Sequence, residues 1–217
     1  MMEFPKSAAF GRRIPKQKFY ENLEVPASVK QLFIQQIKLI VWAYKLSPET
    51  MNIAPGEQVK EIQVFHLKLH GDTIDPQVLN LMDKQIPYHI LFLLERPDGR
   101  TQLWVNYKEA NQSGSNAFQL RQSYHTLWLP QEELSLDLSA LDMDALYERV
   151  VRQIAGDAIT AQGENLKAAV EKSRQQEKMQ KEIQRLEKLA RAEKQPKKKF
   201  ELVQKINEIK KKWEEAL

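Results

Sequence analysis

The sequence predicts an α+β fold: a mixed, largely antiparallel sheet of about five strands with covering helices, extended by basic coiled-coil-like helices at the C-terminus. Three observations predict it. Apolar residues alternate at the strand period in several segments between about residues 40 and 128. Between them lie segments with the three-to-four spacing of an amphipathic helix. From residue 164 onward the chain is long, charged and helix-prone, with apolar residues at coiled-coil spacing.

Taken in order, residues 1–16 read as an extended lead-in, because Pro15 disfavours helix at Ile14. Pro15 then suits the first turn of a short helix through Phe19 and Tyr20. Ser28 is a good N-cap for a second helix, with Val29, Leu32, Phe33, Ile37 and Ile40 on one side. A buried strand follows at about 40–46, and the competing reading extends the helix to Leu46. Residues 59–69 alternate, with Ile62, Val64 and His66 on one face and Phe65, Leu67 and Leu69 on the other. Pro76 opens a helix through Val78, Leu79 and Met82. Residues 87–95 are the most apolar strand. Pro97-Asp98-Gly99 turns the chain into a hairpin with 101–108. Residues 111–116 read as a flexible loop, and a last strand at about 118–128 ends before Pro130. An amphipathic helix carrying Ala145, Leu146, Val150, Val151 and Ile154 covers the sheet.

These signals divide the chain into a body at 1–155, a junction at 156–163 marked by Gly156 and Gly163, and an arm at 164–217. The arm reads as helices at about 164–193 and 200–217, separated by Lys194-Gln195-Pro196-Lys197-Lys198-Lys199, since proline is costly inside a helix. Met179, Ile183, Leu186 and Ala190 form one apolar seam, and Leu202, Ile206, Ile209 and Trp213 repeat its spacing. A seam this narrow needs a partner surface, either the other helix of the arm or a second chain in a homo-oligomer.

Composition limits the chemistry. Apolar residues make up 42% of the 217, enough for one core, and there is no cysteine for a disulfide, thiolate zinc site or thiol nucleophile. No apolar run approaches the roughly 18 residues of a membrane span. The N-terminus lacks a secretory signal, so no membrane association and a cytoplasmic location are expected. Residues 164–217 hold 16 Lys/Arg against 10 Asp/Glu, and the remainder holds 17 against 19. The arm is therefore basic and the rest almost neutral in total, which points to an anionic partner for the arm.

One order of motifs is distinctive: Ile14-Pro15-Lys16 with Phe19-Tyr20; Trp42-x-Tyr44-Lys45-Leu46-Ser47-Pro48-Glu49-Thr50-x-Asn52-Ile53; Glu61-Ile62-Gln63-Val64-Phe65; and Ile86-Pro87-Tyr88 leading into the strand at Ile90. Over roughly residues 5–155, and loosely into the arm, it resembles the prokaryotic family DUF4391. The resemblance implies a context, in which such proteins are encoded beside a helicase and a DNA methyltransferase in restriction-like or antiphage gene clusters. It brings no catalytic residue with it.

Glu49, Thr50 and Asn52 supply an acid, a hydroxyl and an amide just past a strand end and are a candidate binding loop; Ser-Pro also initiates turns, and such side chains commonly bond nearby backbone. A metal-dependent nuclease reading uses Asp98 with Asn106-Tyr107-Lys108. It suffers from the strand length between tip and interior, from an amide where a carboxylate is wanted, and from Glu109 in the opposite strand phase. The histidines are His66, His70, His89 and His125; His66 and His70 share a face if the strand extends that far, without an evident third ligand. No Gly-rich phosphate loop or GxSxG occurs. The sequence thus nominates no catalytic residue, metal site or cofactor.

Lys194, Lys197, Lys198 and Lys199, with Lys210, Lys211 and Lys212, are candidate phosphate contacts giving salt-sensitive, sequence-independent binding. Met179, Ile183, Leu186, Leu202, Ile206, Ile209 and Trp213 are the candidate helix-pairing seam. The leading expectation is a non-enzymatic accessory or scaffold subunit of a DNA-acting antiphage system, docking on the helicase and methyltransferase through the body and the C-terminal helices. A divalent-metal nuclease and a sequence-independent DNA-binding module are the alternatives.

Overall fold

A computed structural model describes residues 3–21, 25–110, 118–159 and 165–215, and the chain divides into two units, Met1–Asp157 and Ala158–Leu217. The segment 111–116 and Gly163 lie outside the described residues.

The first unit is built on one mixed sheet. Strands β1 (Ala9–Arg13), β2 (Ile37–Leu46), β3 (Ile62–Leu69), β4 (His89–Glu95), β5 (Arg100–Ala110) and β6 (Phe118–His125) lie side by side in that order, and β7 (Leu129–Pro130) pairs with β5. Only β3 and β4 run parallel. A parallel pair requires a crossover, and α3 (Pro76–Gln85) supplies it, capped by Asp75, whose side chain accepts the Gln77 N–H at 2.8 Å.

Among the described residues the sheet has seven strands where the alternation suggested about five. β1 comes from the lead-in, where Gly11 and paired arginines hide any strand period. β7 arises because the last predicted strand stops at His125 and pairing resumes at Leu129. Helix α1 (Ala27–Gln36) passes into β2 without a loop, so Ile37 and Ile40 are strand residues, not helix residues. The β-branched run Ile37, Ile40, Val41 favours strand. Register shifts at Ile37/Leu39 and Trp42/Tyr44 break the simple alternation there.

One face of the sheet packs under α1 and α3. Phe65, Leu67, Leu69, Ile90, Phe92, Leu94 and Trp104 meet Val29 and Phe33 of α1 and Val78, Leu79 and Met82 of α3 in one buried cluster. The other face meets α4 (Met143–Ala155), where the Tyr147 ring lies 4.2 Å from His89 and 6.4 Å from Tyr107 between centroids.

The N-terminus of α4 also pins the connection into β3. Asp144 accepts the N–H groups of Glu57 at 2.8 Å, Gln58 at 3.2 Å and Val59 at 2.7 Å. Gly56 makes room for this, since a Cβ there would fall 2.5 Å from Asp144 Oδ1 and 2.7 Å from the Val59 carbonyl oxygen. Gly56→Ala is therefore expected to destabilise the chain by about 1–3 kcal/mol, read as a shift in the urea midpoint.

The second unit contains α5 (Leu166–Ala192) and α6 (Pro196–Glu215). Pro196 begins α6 instead of interrupting it, as a first-turn proline does without losing a helix hydrogen bond. The helices are joined by residues 193–195 only, which makes them an antiparallel hairpin. No helix among the described residues is long and apolar enough to cross a membrane.

Candidate docking and nucleic-acid interface

The hairpin closes its own seam. Ile183, Leu186, Ala190 and Ile206 are buried together, with Leu202 and Ile209 packed against them. Met179 and Trp213, at the far end of the seam, are half-buried. The Lys210 ammonium reaches Glu187 Oε1 at 3.2 Å across the two helices. The apolar stripes that asked for a partner are thus used on one another.

What remains outward is different in kind. Leu189, Phe200 and Val203 are 45%, 61% and 40% exposed. At about 100° per residue, Phe200 stands roughly 120° around α6 from the buried Ile206, and Val203 roughly 60° from it, at the border of the seam. A groove of about 370 Å³ runs beside Val203, floored by Ala190, Val203 and Ile206 and rimmed by Arg191, Lys199 and Lys210, with Glu187 the one acid in its wall; Leu189 borders a separate groove with Glu193 and Glu201.

The lysines are exposed but do not share one face. Lys197, Lys198 and Lys199 occupy the first turn of α6, where successive residues rotate around the helix. They add to the positive end of the helix dipole, and no acid sits in that turn to offset it. Lys198 and Lys212 do align, through Lys205, at intervals of seven residues or about 10 Å. Lys205 was not among the candidates from sequence; its signal was the heptad spacing. Lys197, Lys211 and Lys194 face elsewhere or lie in the connection.

The Ser47-Pro48-Glu49-Thr50 motif forms a single helical turn, α2 (Pro48–Met51). Ser47 caps it, its backbone N–H donating to Thr50 Oγ1 at 2.9 Å while Thr50 N–H reaches Ser47 Oγ at 3.4 Å. The Thr50 hydroxyl donates to the Lys45 carbonyl at 2.7 Å, and the Ser47 hydroxyl donates to Glu49 Oε2 at 2.6 Å. That bond holds the Glu49 carboxyl below its ordinary range. Asn52 ends the turn in the left-handed region at φ 53°, ψ 48°. The Ser47 and Thr50 hydroxyls are therefore occupied in building the turn, and the exposed Glu49 carboxylate and Asn52 amide are what the loop presents.

Lys108 and Asp98 lie at opposite ends of β5. Asp98 sits in the turn before Arg100, and its carboxylate accepts the Arg100 N–H at 3.0 Å. Eight residues of strand, roughly 26 Å, separate that end from Lys108, so the two cannot share an ion. Lys108 instead pairs with Asp83 of α3 at 2.6 Å, and both side chains are 0% exposed. Its ammonium also donates to the Tyr88 carbonyl and approaches the Asp83 and Ile86 carbonyls at 3.3 Å. These are carbonyls at and just beyond the C-terminal end of α3, which the helix itself leaves unpaired. Asn106 is spoken for as well: its Oδ1 accepts from Trp104 Nε1 at 2.9 Å and Ser123 Oγ at 2.7 Å.

A family model described as "Domain of unknown function (DUF4391)" matches residues 2–212. The chain belongs to the DUF4391 family. No curated protein and no solved structure matches it.

In this DUF4391 chain the histidines are dispersed. His66 Nε2 lies 2.6 Å from Glu95 Oε2, and Lys68 joins the same carboxylate at 3.0 Å. Burial pushes the His66 imidazole down from its usual range. His89 is buried between Tyr147 and Phe118 and is pushed down to about 3, first by burial and then by the Lys108 charge. His125 stacks on Trp104 at 4.8 Å. Among the described residues, no group of three or more His, Cys, Asp or Glu side chains converges in a metal-holding arrangement.

Two features of the DUF4391 chain were not read from its sequence. Asp83 carried no motif; its signal was an acid in the last turns of a helix whose other face is apolar, where a carboxylate needs a cation to offset the helix dipole. Phe200 and Val203 fell between the seam positions and were masked by the lysines beside them.

Proposed function

We propose that this DUF4391 chain is a non-catalytic accessory subunit of a DNA-acting assembly, with the sheet unit as a rigid body and the hairpin as its docking element. The observation that carries this reading is the division of labour on the hairpin: its seam is filled from within, yet Phe200 and Val203 remain exposed, with Arg191, Lys199 and Lys210 rimming the groove beside Val203. Large apolar residues set in a polar, charged rim are the pattern of a protein-docking surface. The rim of Arg191, Lys199 and Lys210 asks for an acidic partner surface. A second hairpin carries the same excess of positive charge and would be repelled. The gene context that the resemblance implies nominates a helicase and a DNA methyltransferase as the proteins to test.

The experiment is co-expression of the full chain with both candidate partners and capture through a tag on the DUF4391 chain. Phe200→Ser with Val203→Ser leaves the buried seam untouched and is expected to abolish capture. Full capture by the double variant would overturn the reading.

The row Lys198–Lys205–Lys212 favours a second role, sequence-independent contact with a nucleic-acid backbone. Three such contacts contribute a slope of about 2.7 to the dependence of log affinity on log salt for duplex DNA. Changing all three lysines to serine is expected to remove that slope from a gel-shift titration, and an unchanged slope would exclude the row.

A further inference from the structure

The division of the charge at residue 164 conceals a second basic region. Residues 4–48 contain eight Lys/Arg and only two acids, Glu21 and Glu24. The remaining portion of the first unit is correspondingly acidic, so the near-neutral total describes no part of it. This basic stretch forms β1, α1 and β2, one lateral edge of the sheet.

At that edge, aromatic rings are stacked outward. Trp42 is fixed by its indole N–H, which donates to the Tyr44 carbonyl at 3.0 Å. It stacks inward on buried Phe65, with centroids 6.0 Å apart and planes at 21°, and outward it packs against Phe10, with centroids 4.2 Å apart and planes tilted at 41°. Phe10 is 43% exposed and is the outermost ring of this ladder, rooted in the core. Arg12 stands opposite Trp42 in the β1–β2 register, on the face that carries Phe10. Lys6, Arg12, Arg13, Lys18 and Lys38 are exposed, and none of them forms an ion pair among the described residues.

We propose that the β1–β2 edge is a binding strip for single-stranded nucleic acid, with Phe10 stacking on an unpaired base and Arg12 and its neighbouring cations holding the phosphates. An exposed ring backed by a buried-edge aromatic ladder, with Arg12 on its face and further exposed cations along the same basic stretch, meets both requirements of such sites. Duplex DNA keeps its base faces stacked and offers Phe10 nothing. Addition of an acidic peptide as a further strand is disfavoured by the backbone: β1 is short, its register shifts between Ala9 and Arg12, and Gly11 at φ +65° bends the edge away.

The test uses the full chain with Lys198, Lys205 and Lys212 changed to serine, which removes the row through which the hairpin would contribute background binding. A fluorescein-labelled oligo-dT is titrated by anisotropy at several salt concentrations. Phe10→Ala is expected to weaken binding about tenfold or more, and Phe10→Trp, which keeps the stack, to retain it. Arg12→Ala with Arg13→Ala is expected to lower the salt slope by about 1.4. A duplex of equal length should compete poorly. The inference is overturned if Phe10→Ala leaves affinity unchanged, if oligo-dT does not bind, or if polyglutamate displaces it as well as unlabelled oligo-dT does.

Discussion

Replacing Lys108 with alanine is expected to cost about 3–5 kcal/mol of folding stability, read from the urea midpoint at unchanged slope. The substitution strands Asp83, whose side chain is 0% exposed and is paired with the Lys108 ammonium. It also releases the carbonyls of Asp83, Ile86 and Tyr88 that the ammonium satisfies. Burial works against both charges, pushing Lys108 down and Asp83 up, and their mutual attraction pulls each back. Removing both charges together has a different outcome, because no buried ion is then left alone. Lys108→Met with Asp83→Leu is expected to recover most of the loss. A Lys108→Ala protein as stable as the parent would contradict this role. Loss of any activity in a Lys108 variant therefore reports the fold before it reports chemistry.

Acid is expected to weaken the fold through His89. In the folded chain its imidazole is held down to about 3, whereas an unfolded histidine takes up its proton near the ordinary value of 6.5. Between those two values the unfolded chain binds more protons, so stability falls as pH falls. The contribution is complete above about pH 6.5 and is lost progressively on the way down to about 3, at up to about 1.4 kcal/mol per pH unit. Asp83, pushed up by burial, acts in the opposite direction at pH values above its ordinary 3.8. Comparison with His89→Phe isolates the histidine, since phenylalanine keeps the aromatic packing against Tyr147 and Phe118. From about pH 8 to about pH 5 the gap between parent and variant should move by about 2 kcal/mol in favour of the variant. Parallel curves would show that His89 is not held neutral.

The parts of the fold that repeat were legible from sequence. Val64 to Leu69 alternate and form β3; the run from Ile90 to Leu94 is wholly buried and forms the parallel partner β4; the seam at 183, 186, 202, 206 and 209 pairs as spaced. What escaped depends on context that no local period carries. β1 exists because β2 offers it a ladder, with Gly11 and two arginines contributing nothing to the pattern. The α1–β2 boundary falls at Gln36 because Ile37 finds Leu69 across the sheet. Pro196 reads as a break by composition and acts as a start because α6 follows it.

The candidate residues divide in the same way. Ser47 to Thr50 stood out as a motif, and its specificity is accounted for by a capping box and a left-handed C-cap that these residue types form together. Lys108 stood out for its spacing from Asp98, but its actual partner, Asp83, lies 25 residues back on a different element. The cationic aromatic edge at Phe10, Arg12 and Trp42 is assembled from two strands some 30 residues apart, and only pairing brings it together.

Everything proposed for the hairpin depends on its two helices closing on each other within one chain and leaving the outer face free. The absence of native cysteine makes that directly measurable. Glu187→Cys with Lys210→Cys places one thiol on each helix at the contact now bridged at 3.2 Å, and a short bismaleimide is added to the full chain across a range of protein concentrations. A hairpin closed in cis gives a doubly reacted, cross-linked monomer whose yield is independent of concentration. Cross-linked dimers that grow with concentration at the expense of that monomer would show that the seam joins two chains.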